Sequence, residues 1–118
     1  NLPKEIMIYE ISGPLFFASA RRYSEVLEEI GIKSKVLIIR MRHVSFVDQT
    51  GIHNLKDTLK LLRNKGIVVI LSGVNQDVLA DFTKNGISDI LRKLHICDSF
   101  EKSLELAQIE LKAIIRSD

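Results

Sequence analysis

The sequence predicts an α/β fold, with a small mixed but mostly parallel sheet of four to five strands flanked by about four helices. Two short continuous apolar runs, Val36–Ile39 and Ile67–Leu71, are typical of strands buried on both faces. Helical patterns of about 10 to 15 residues separate the strands, which indicates right-handed crossovers. A Gly13-Pro14 break after the first strand favours a short antiparallel second strand, which makes the sheet mixed.

The elements follow from local signals in chain order. The predicted strands are Glu5–Ser12, Leu15–Phe17, Val36–Arg40, Ile67–Leu71 and an edge strand at Ile96. The predicted helices begin at caps, which are Ser19, Asp48, Asn75 and either Asp98 or Ser99. Glycines end the first three helices, at Gly31, Gly66 and Gly86. The last helix runs to about Ile115, and the segment from Ile87 to Leu94 is consistent with a short helix.

Size and composition indicate one ordinary globular domain, with a core over about residues 5–115 of the 118. Apolar residues make up 46% of the chain and charged residues 27%, which excludes a disordered segment. A single cysteine, Cys97, excludes an internal disulfide framework. No apolar run approaches the roughly 18 residues that span a bilayer, so the chain as given is expected to be soluble.

The sharpest local signal is Asp48-Gln49-Thr50-Gly51, between the central strand and an amphipathic helix. Asp48 is placed to cap the helix, because its carboxylate can accept bonds from free backbone N–H groups. Thr50 falls in the first turn, near the positive end of the helix dipole. Gly51 removes side-chain bulk there, which allows a partner's backbone or a phosphate to come close.

This segment resembles the Asp-x-(Ser/Thr)-Gly loop of STAS domains, which occur as stand-alone anti-sigma factor antagonists and as cytoplasmic C-terminal domains of SulP/SLC26-type anion transporters. Gly13-Pro14-Leu15-Phe16-Phe17-Ala18 resembles the corresponding segment of the transporter-linked branch. The resemblance extends from Ile6 to about Ala107. It implies a STAS fold, and the absence of an initial Met is consistent with a fragment of a longer transporter.

The resemblance implies a regulatory, protein-interaction domain on the cytoplasmic side of the membrane, attached to a transporter of sulfate or a related anion. Asp48, Gln49, Thr50 and Gly51 would form the partner-facing loop, in which Gln49 has no role of its own. The expected partners are the transmembrane part of the same transporter, another STAS copy or a cytosolic regulatory protein. The alternative is a stand-alone anti-sigma antagonist that is switched by phosphorylation of Thr50.

Cofactors and catalysis find little support. Thr50 and Gly51 could contact a nucleotide or other anion, but neither a P-loop nor a Gly-x-Gly-x-x-Gly motif is present. His43, His53 and His95 are scattered, and no nucleophile has a recognisable base nearby in the sequence. We therefore expect no enzyme, no metal and no cofactor, with a nucleotide as the alternative left open.

Two surfaces have alternative interpretations. Lys56, Lys60 and Arg63 form a basic stripe on the second helix, either a solvated face or a contact with anionic lipid or an acidic partner. Nucleic acid is not expected, because no aromatic residues are interleaved with the stripe. The last helix has one sheet-facing stripe, and Leu106 and Ile109 on the predicted opposite side either contact another part of the domain or form a docking face.

Overall fold

The computed structural model describes residues 2–15 and 17–117. Four strands are observed in this part of the chain: β1 Ile6–Ser12, β2 Val36–His43, β3 Val68–Ser72 and β4 Ile96–Cys97. The helices are α1 Phe17–Ile32, α2 Gln49–Asn64, α3 Gln76–Lys84, α4 Ile87–Ile90 and α5 Phe100–Ser117, and a 3-10 turn covers Lys93–His95. Within the described ranges, no helix is long and apolar enough to cross a membrane.

The α/β class and the four strands are confirmed, but the described sheet is parallel throughout, in the order β1-β2-β3-β4. The predicted antiparallel strand at Leu15–Phe17 is wrong. Leu15 forms a single parallel bridge with Val47, and Phe17 already begins α1. Gly13, with a φ of 81°, redirects the chain so that Leu15 meets the segment after β2 rather than folding back on β1. Phe16, between them, lies outside the described residues.

The two faces of the sheet are covered unequally. Side chains along β2 alternate between the two faces of the sheet. Leu37 and Ile39 lie in a large core under α1, α2, α3 and α4, whereas Val36 and Ile38 lie in a smaller core under α5. All four side chains are fully buried. The prediction that the central strand is buried on both faces is therefore confirmed.

The first helix differs from its predicted bounds. It begins at Phe17, so Ser19 lies inside the first turn rather than at the cap, and it continues past Gly31 to Ile32. A Cβ at Gly31 would lie 2.5 Å from Leu62 Cδ2, which shows that Gly31 is the close contact between α1 and α2. At Gly31 the absence of a side chain therefore favours close packing of α1 on α2, whereas the sequence interpretation treated this glycine as a stop signal.

The last helix begins as predicted, since Ser99 Oγ accepts a bond from the Lys102 N–H at 3.2 Å. Its buried stripe is wider than predicted. Leu106 is only 8% exposed and lines a cavity with Leu94 and Ile96, so its assignment to an outward docking face is wrong. Leu106 instead belongs to the smaller core, together with Ile38 and Ile70 of the sheet. Ile109, at 64% exposure, remains on the surface.

Candidate functional site

The start of α2 carries the predicted site, and Asp48 caps the helix. Asp48 has an extended backbone conformation, and its Oδ1 accepts a hydrogen bond of 2.7 Å from the N–H of Gly51. The Asp48 carbonyl accepts the next bond, from Ile52, at 2.9 Å. This arrangement satisfies one of the free amides of the first helical turn and fixes where the helix begins.

Gly51 is packed against the chain itself rather than open to a ligand. A Cβ at this position would lie 2.8 Å from the carbonyl oxygen of Leu15 and 3.0 Å from Val47 Cγ1. The Gly51 N–H is already bonded to Asp48. The small residue therefore admits the backbone of the Gly13-Pro14-Leu15 segment, and the geometry does not favour the predicted anion contact at Gly51.

We call residues 44–51 the motif loop, and hydrogen bonds hold it on two sides. The Leu15 N–H donates to the Phe46 carbonyl at 2.8 Å, and the Asp48 N–H donates to the Leu15 carbonyl at 3.1 Å. On the other side, Asn75 Nδ2 donates to the Val44 carbonyl at 3.1 Å. Asn75 also caps α3 through a bond from the Val78 N–H, so one side chain joins two elements. The cap was predicted, but the contact with the motif loop was not.

Four residues of the motif loop are exposed, Ser45, Phe46, Gln49 and Thr50, and we call the last three the loop surface. Phe46 is 48% exposed, unusually high for a large aromatic side chain. The Thr50 hydroxyl has no hydrogen-bond partner among residues 2–15 and 17–117, so it does not cap its own helix. A rigid backbone with an exposed aromatic ring and a free hydroxyl is suited to contact with another macromolecule.

The basic stripe of α2 is divided by the fold. Lys56 is half-buried and points toward the start of α4, where a Cβ at Gly86 would lie 3.3 Å from Lys56 Nζ. Lys60 and Arg63 are exposed. Arg63 borders a cavity beside β3, so the three cations do not form one uniform face.

The three histidines lie in different environments. His43 and His53 are exposed, and His53 Nε2 lies 3.4 Å from Asp57 Oδ2 one turn along α2. His95 is buried, and its Nε2 lies 3.1 Å from Glu110 Oε1 of α5. Sequence reasoning missed this last pair, because it joins segments 15 residues apart and has no recognisable spacing. No group of three or more metal-ligating side chains is found within the described part of the chain.

One thiol has a perturbed environment. Burial raises the pKa of the Cys97 thiol above its usual value, the neighbouring Asp98 carboxylate raises it further, and Lys102 opposes both. A hydrogen bond from Lys102, with Nζ and Oδ1 3.1 Å apart, lowers the pKa of the exposed Asp98. Cys97 is therefore a weakly reactive thiol, and this group is not part of the motif loop.

Comparison with known proteins identifies the architecture built around this loop. The family model of the STAS domain matches residues 2–103. The chain belongs to the STAS domain family. A SulP transporter STAS domain from Vibrio cholerae is 34% identical, with a TM-score of 0.82, over 96% of this chain and 88% of that one. A sulfate transporter family protein from Wolinella succinogenes is 33% identical, with a TM-score of 0.86, over 95% and 92% of the two chains.

Longer relatives contain the same fold as one part of a larger chain. The probable sulfate transporter 4.2 of Arabidopsis thaliana is 24% identical in an alignment 101 residues long, which covers 75% of this chain and 15% of that protein. The murine Slc26a9 anion transporter shares the fold at 23% identity and a TM-score of 0.79, over 92% of this chain and 18% of its own. The chain thus spans about 15% of the length of the first of these proteins and matches about 18% of the second.

Proposed function

We propose that this chain is the cytoplasmic regulatory domain of a SulP-family transporter of sulfate or a related anion. It would be attached to the transmembrane part, would itself neither carry the anion nor catalyse a reaction, and would act by contact with other parts of the transporter or with a cytosolic protein. Two relatives, each about one-third identical over nearly the whole chain, support the transporter branch rather than the stand-alone antagonists.

The observation that carries this proposal is the construction of the motif loop. Hydrogen bonds from Leu15 and Asn75 hold its backbone, yet the loop surface of Phe46, Gln49 and Thr50 stays exposed. A contact surface with a fixed backbone loses little conformational entropy when a partner binds. Phe46 supplies an aromatic side chain, a residue type that is enriched where proteins meet.

The experiment is anion uptake by the full-length transporter that carries Phe46→Ala and Gln49→Ala together. We expect uptake per transporter molecule to fall, because the contact area at the loop surface is lost. Lys60→Ala, an exposed change two turns or more along the same helix, is the matched control and should leave uptake unchanged. Uptake equal to that of the unmodified transporter, with equal abundance in the membrane, would exclude a role for the loop surface.

We propose a second role for Thr50, as a phosphorylation site that switches docking. Its hydroxyl is exposed and without a partner among residues 2–15 and 17–117. A phosphate there would lie at the N-terminus of α2, which favours negative charge, but it would also be repelled by Asp48 two residues earlier. Repulsion at the cap would loosen the motif loop and so weaken docking.

Mass spectrometry of the protein from its native cells tests this role. Phosphate on Thr50 under at least one growth condition is the expected finding, and Thr50→Val should abolish it without changing the fold. Thr50 found unmodified under all conditions sampled, with good peptide coverage, would contradict the switch. That result would leave the docking role of the loop surface intact.

A further inference from the structure

A cavity of about 270 Å³ lies at the outer edge of β3, near the C-terminal end of α2 and therefore away from the motif loop at the start of that helix. We call it the edge cavity; its lining includes Arg63, Gly66, Val69, Arg92 and His95. It exists because β4 is only two residues long and pairs with β3 at Leu71 and Ser72 alone. Earlier along β3, no strand of the described residues pairs with that edge.

The edge of β3 that no strand covers borders the cavity at Val69, which is 2% exposed. The Val68 N–H donates to the Lys35 carbonyl on the β2 side, at 3.0 Å. Since successive residues of a strand direct their backbone groups to opposite edges, the N–H and C=O of Val69 point away from β2 and toward the cavity. No strand pairs with Val69 on that edge within the described residues. A bound group could therefore complete the pairing of β3.

His95 contributes a second polar group. It is 7% exposed, and its Nε2 is used by Glu110 Oε1 at 3.1 Å. The other ring nitrogen, Nδ1, has no partner among residues 2–15 and 17–117. No fully buried side-chain nitrogen or oxygen in these ranges lacks a partner, so Nδ1 must reach accessible space, and His95 lines the edge cavity.

The charges at the mouth favour an anion. Arg63 lines the cavity and makes no ion pair with any described residue. Arg92 lines it too, with its side chain 71% exposed and its Nη1 3.9 Å from Glu110 Oε1. Glu110 offsets one of the two cations, which leaves a net positive charge. Guanidinium groups are the donors that best match the geometry of a carboxylate.

We propose that the edge cavity binds an acylated amino-acid unit, which combines a carboxylate, an N–H group and a small apolar side chain. The carboxylate would accept bonds from Arg63 and Arg92, and the N–H would donate to the Val69 carbonyl. The side chain would enter the apolar part of the lining, formed by Ile67, Ile90 and Leu91. The cavity is slightly smaller than the roughly 300 Å³ at which pockets for drug-sized ligands begin, which suits one residue.

Such a unit has two sources, a free N-acyl amino acid and the carboxyl end of a peptide. Amide NMR of the labelled protein, titrated with N-acetyl-leucine to millimolar concentration, tests the site. We expect saturable shifts at Val69, Gly66 and His95. N-acetyl-leucine amide, which lacks the charge, should bind much more weakly. A short peptide ending in leucine that binds more tightly than N-acetyl-leucine identifies the peptide end as the ligand, and equal affinity identifies the free acid.

The variants are chosen to spare the fold. Arg63→Gln and Arg92→Gln each change an exposed side chain and should weaken binding about tenfold, the usual worth of one charge-assisted hydrogen bond. Lys60→Gln removes a cation of α2 that does not line the cavity, so it should bind normally. The proposal is overturned if no shift saturates, if the amide binds equally, or if Arg63→Gln and Lys60→Gln have the same effect. None of these results bears on the motif loop.

Discussion

At Gly51, two distant segments of the sequence touch. The Leu15 carbonyl occupies the space where any other residue would place its Cβ, and Asp48 Oδ1 would lie 3.2 Å from that same atom. Backbone atoms cannot move aside as the end of a long side chain can. The glycine of the motif is therefore a packing requirement for the segment that holds the loop, independent of what the loop contacts.

We expect Gly51→Ala to lower the free energy of unfolding by about 1 to 3 kcal/mol, since an added methyl group in a closed contact displaces the backbone. Gln49→Ala, an exposed change in the same helical turn, is the control and should stay within about 0.5 kcal/mol of the parent. Urea denaturation measures both. If the two variants are equally stable, Leu15 does not confine Gly51.

Cys97 offers a test of local electrostatics. Its raised pKa leaves less thiolate at any given pH, so iodoacetamide should modify it more slowly than the thiol of the unfolded chain. Because the unfolded thiol loses its proton at lower pH, stability should decrease as the pH rises through the ordinary range of thiol ionisation.

The neighbours of Cys97 should act in opposite directions. Asp98→Asn removes a carboxylate that raises the thiol pKa, so alkylation should become faster at fixed pH. Lys102→Gln removes the opposing cation and should make it slower. Rates measured across a pH series distinguish charge from steric access, because access alone would not move the midpoint. Shifts of both variants in the same direction would contradict this account.

Among the elements, α5 shows how a surface can be misjudged from helical spacing alone. Leu106 belongs to the smaller core under α5, while Ile109, less than one turn further on, faces solvent. We expect Leu106→Ala to cost about 2 to 4 kcal/mol in unfolding free energy and Ile109→Ala less than about 0.5 kcal/mol. Thermal and urea denaturation of the two variants provide the measurement. A comparable loss from Ile109→Ala would show that its side chain is covered.

The sequence predicted those elements whose signals are local. Val36–Ile39 is apolar because both faces are buried, and the caps at Asp48 and Asn75 show in the residue types that accept backbone bonds. The bridge from Leu15 to Val47 and the pair of His95 with Glu110 could not be predicted. Both contacts depend on which segments the crossovers bring together, and the hydrophobic periodicity within a segment does not indicate its partner in the fold.

At the scale of the whole molecule, the motif loop and the edge cavity lie at opposite ends of the parallel strands. The motif loop follows the carboxyl end of β2, next to the start of α2, while the edge cavity lies near the end of α2 and the beginning of β3. In open parallel sheets the carboxyl ends of strands usually form the binding edge. The edge cavity departs from this rule, because it arises from a missing strand neighbour rather than from the crossovers.

The parallel sheet also constrains the order in which the chain can fold. Ile6 pairs with Val36, Val36 with Val68, and Leu71 with Ile96. Each strand of the described sheet can therefore pair with the next one only after 25 or more further residues have been synthesised. Pairing over such separations is slow. The apolar face of Ile6, Ile38 and Ile70 stays uncovered until α5 has left the ribosome and packs against it. A nascent chain halted before α5 would therefore expose this apolar face, and chaperone binding should peak at that length.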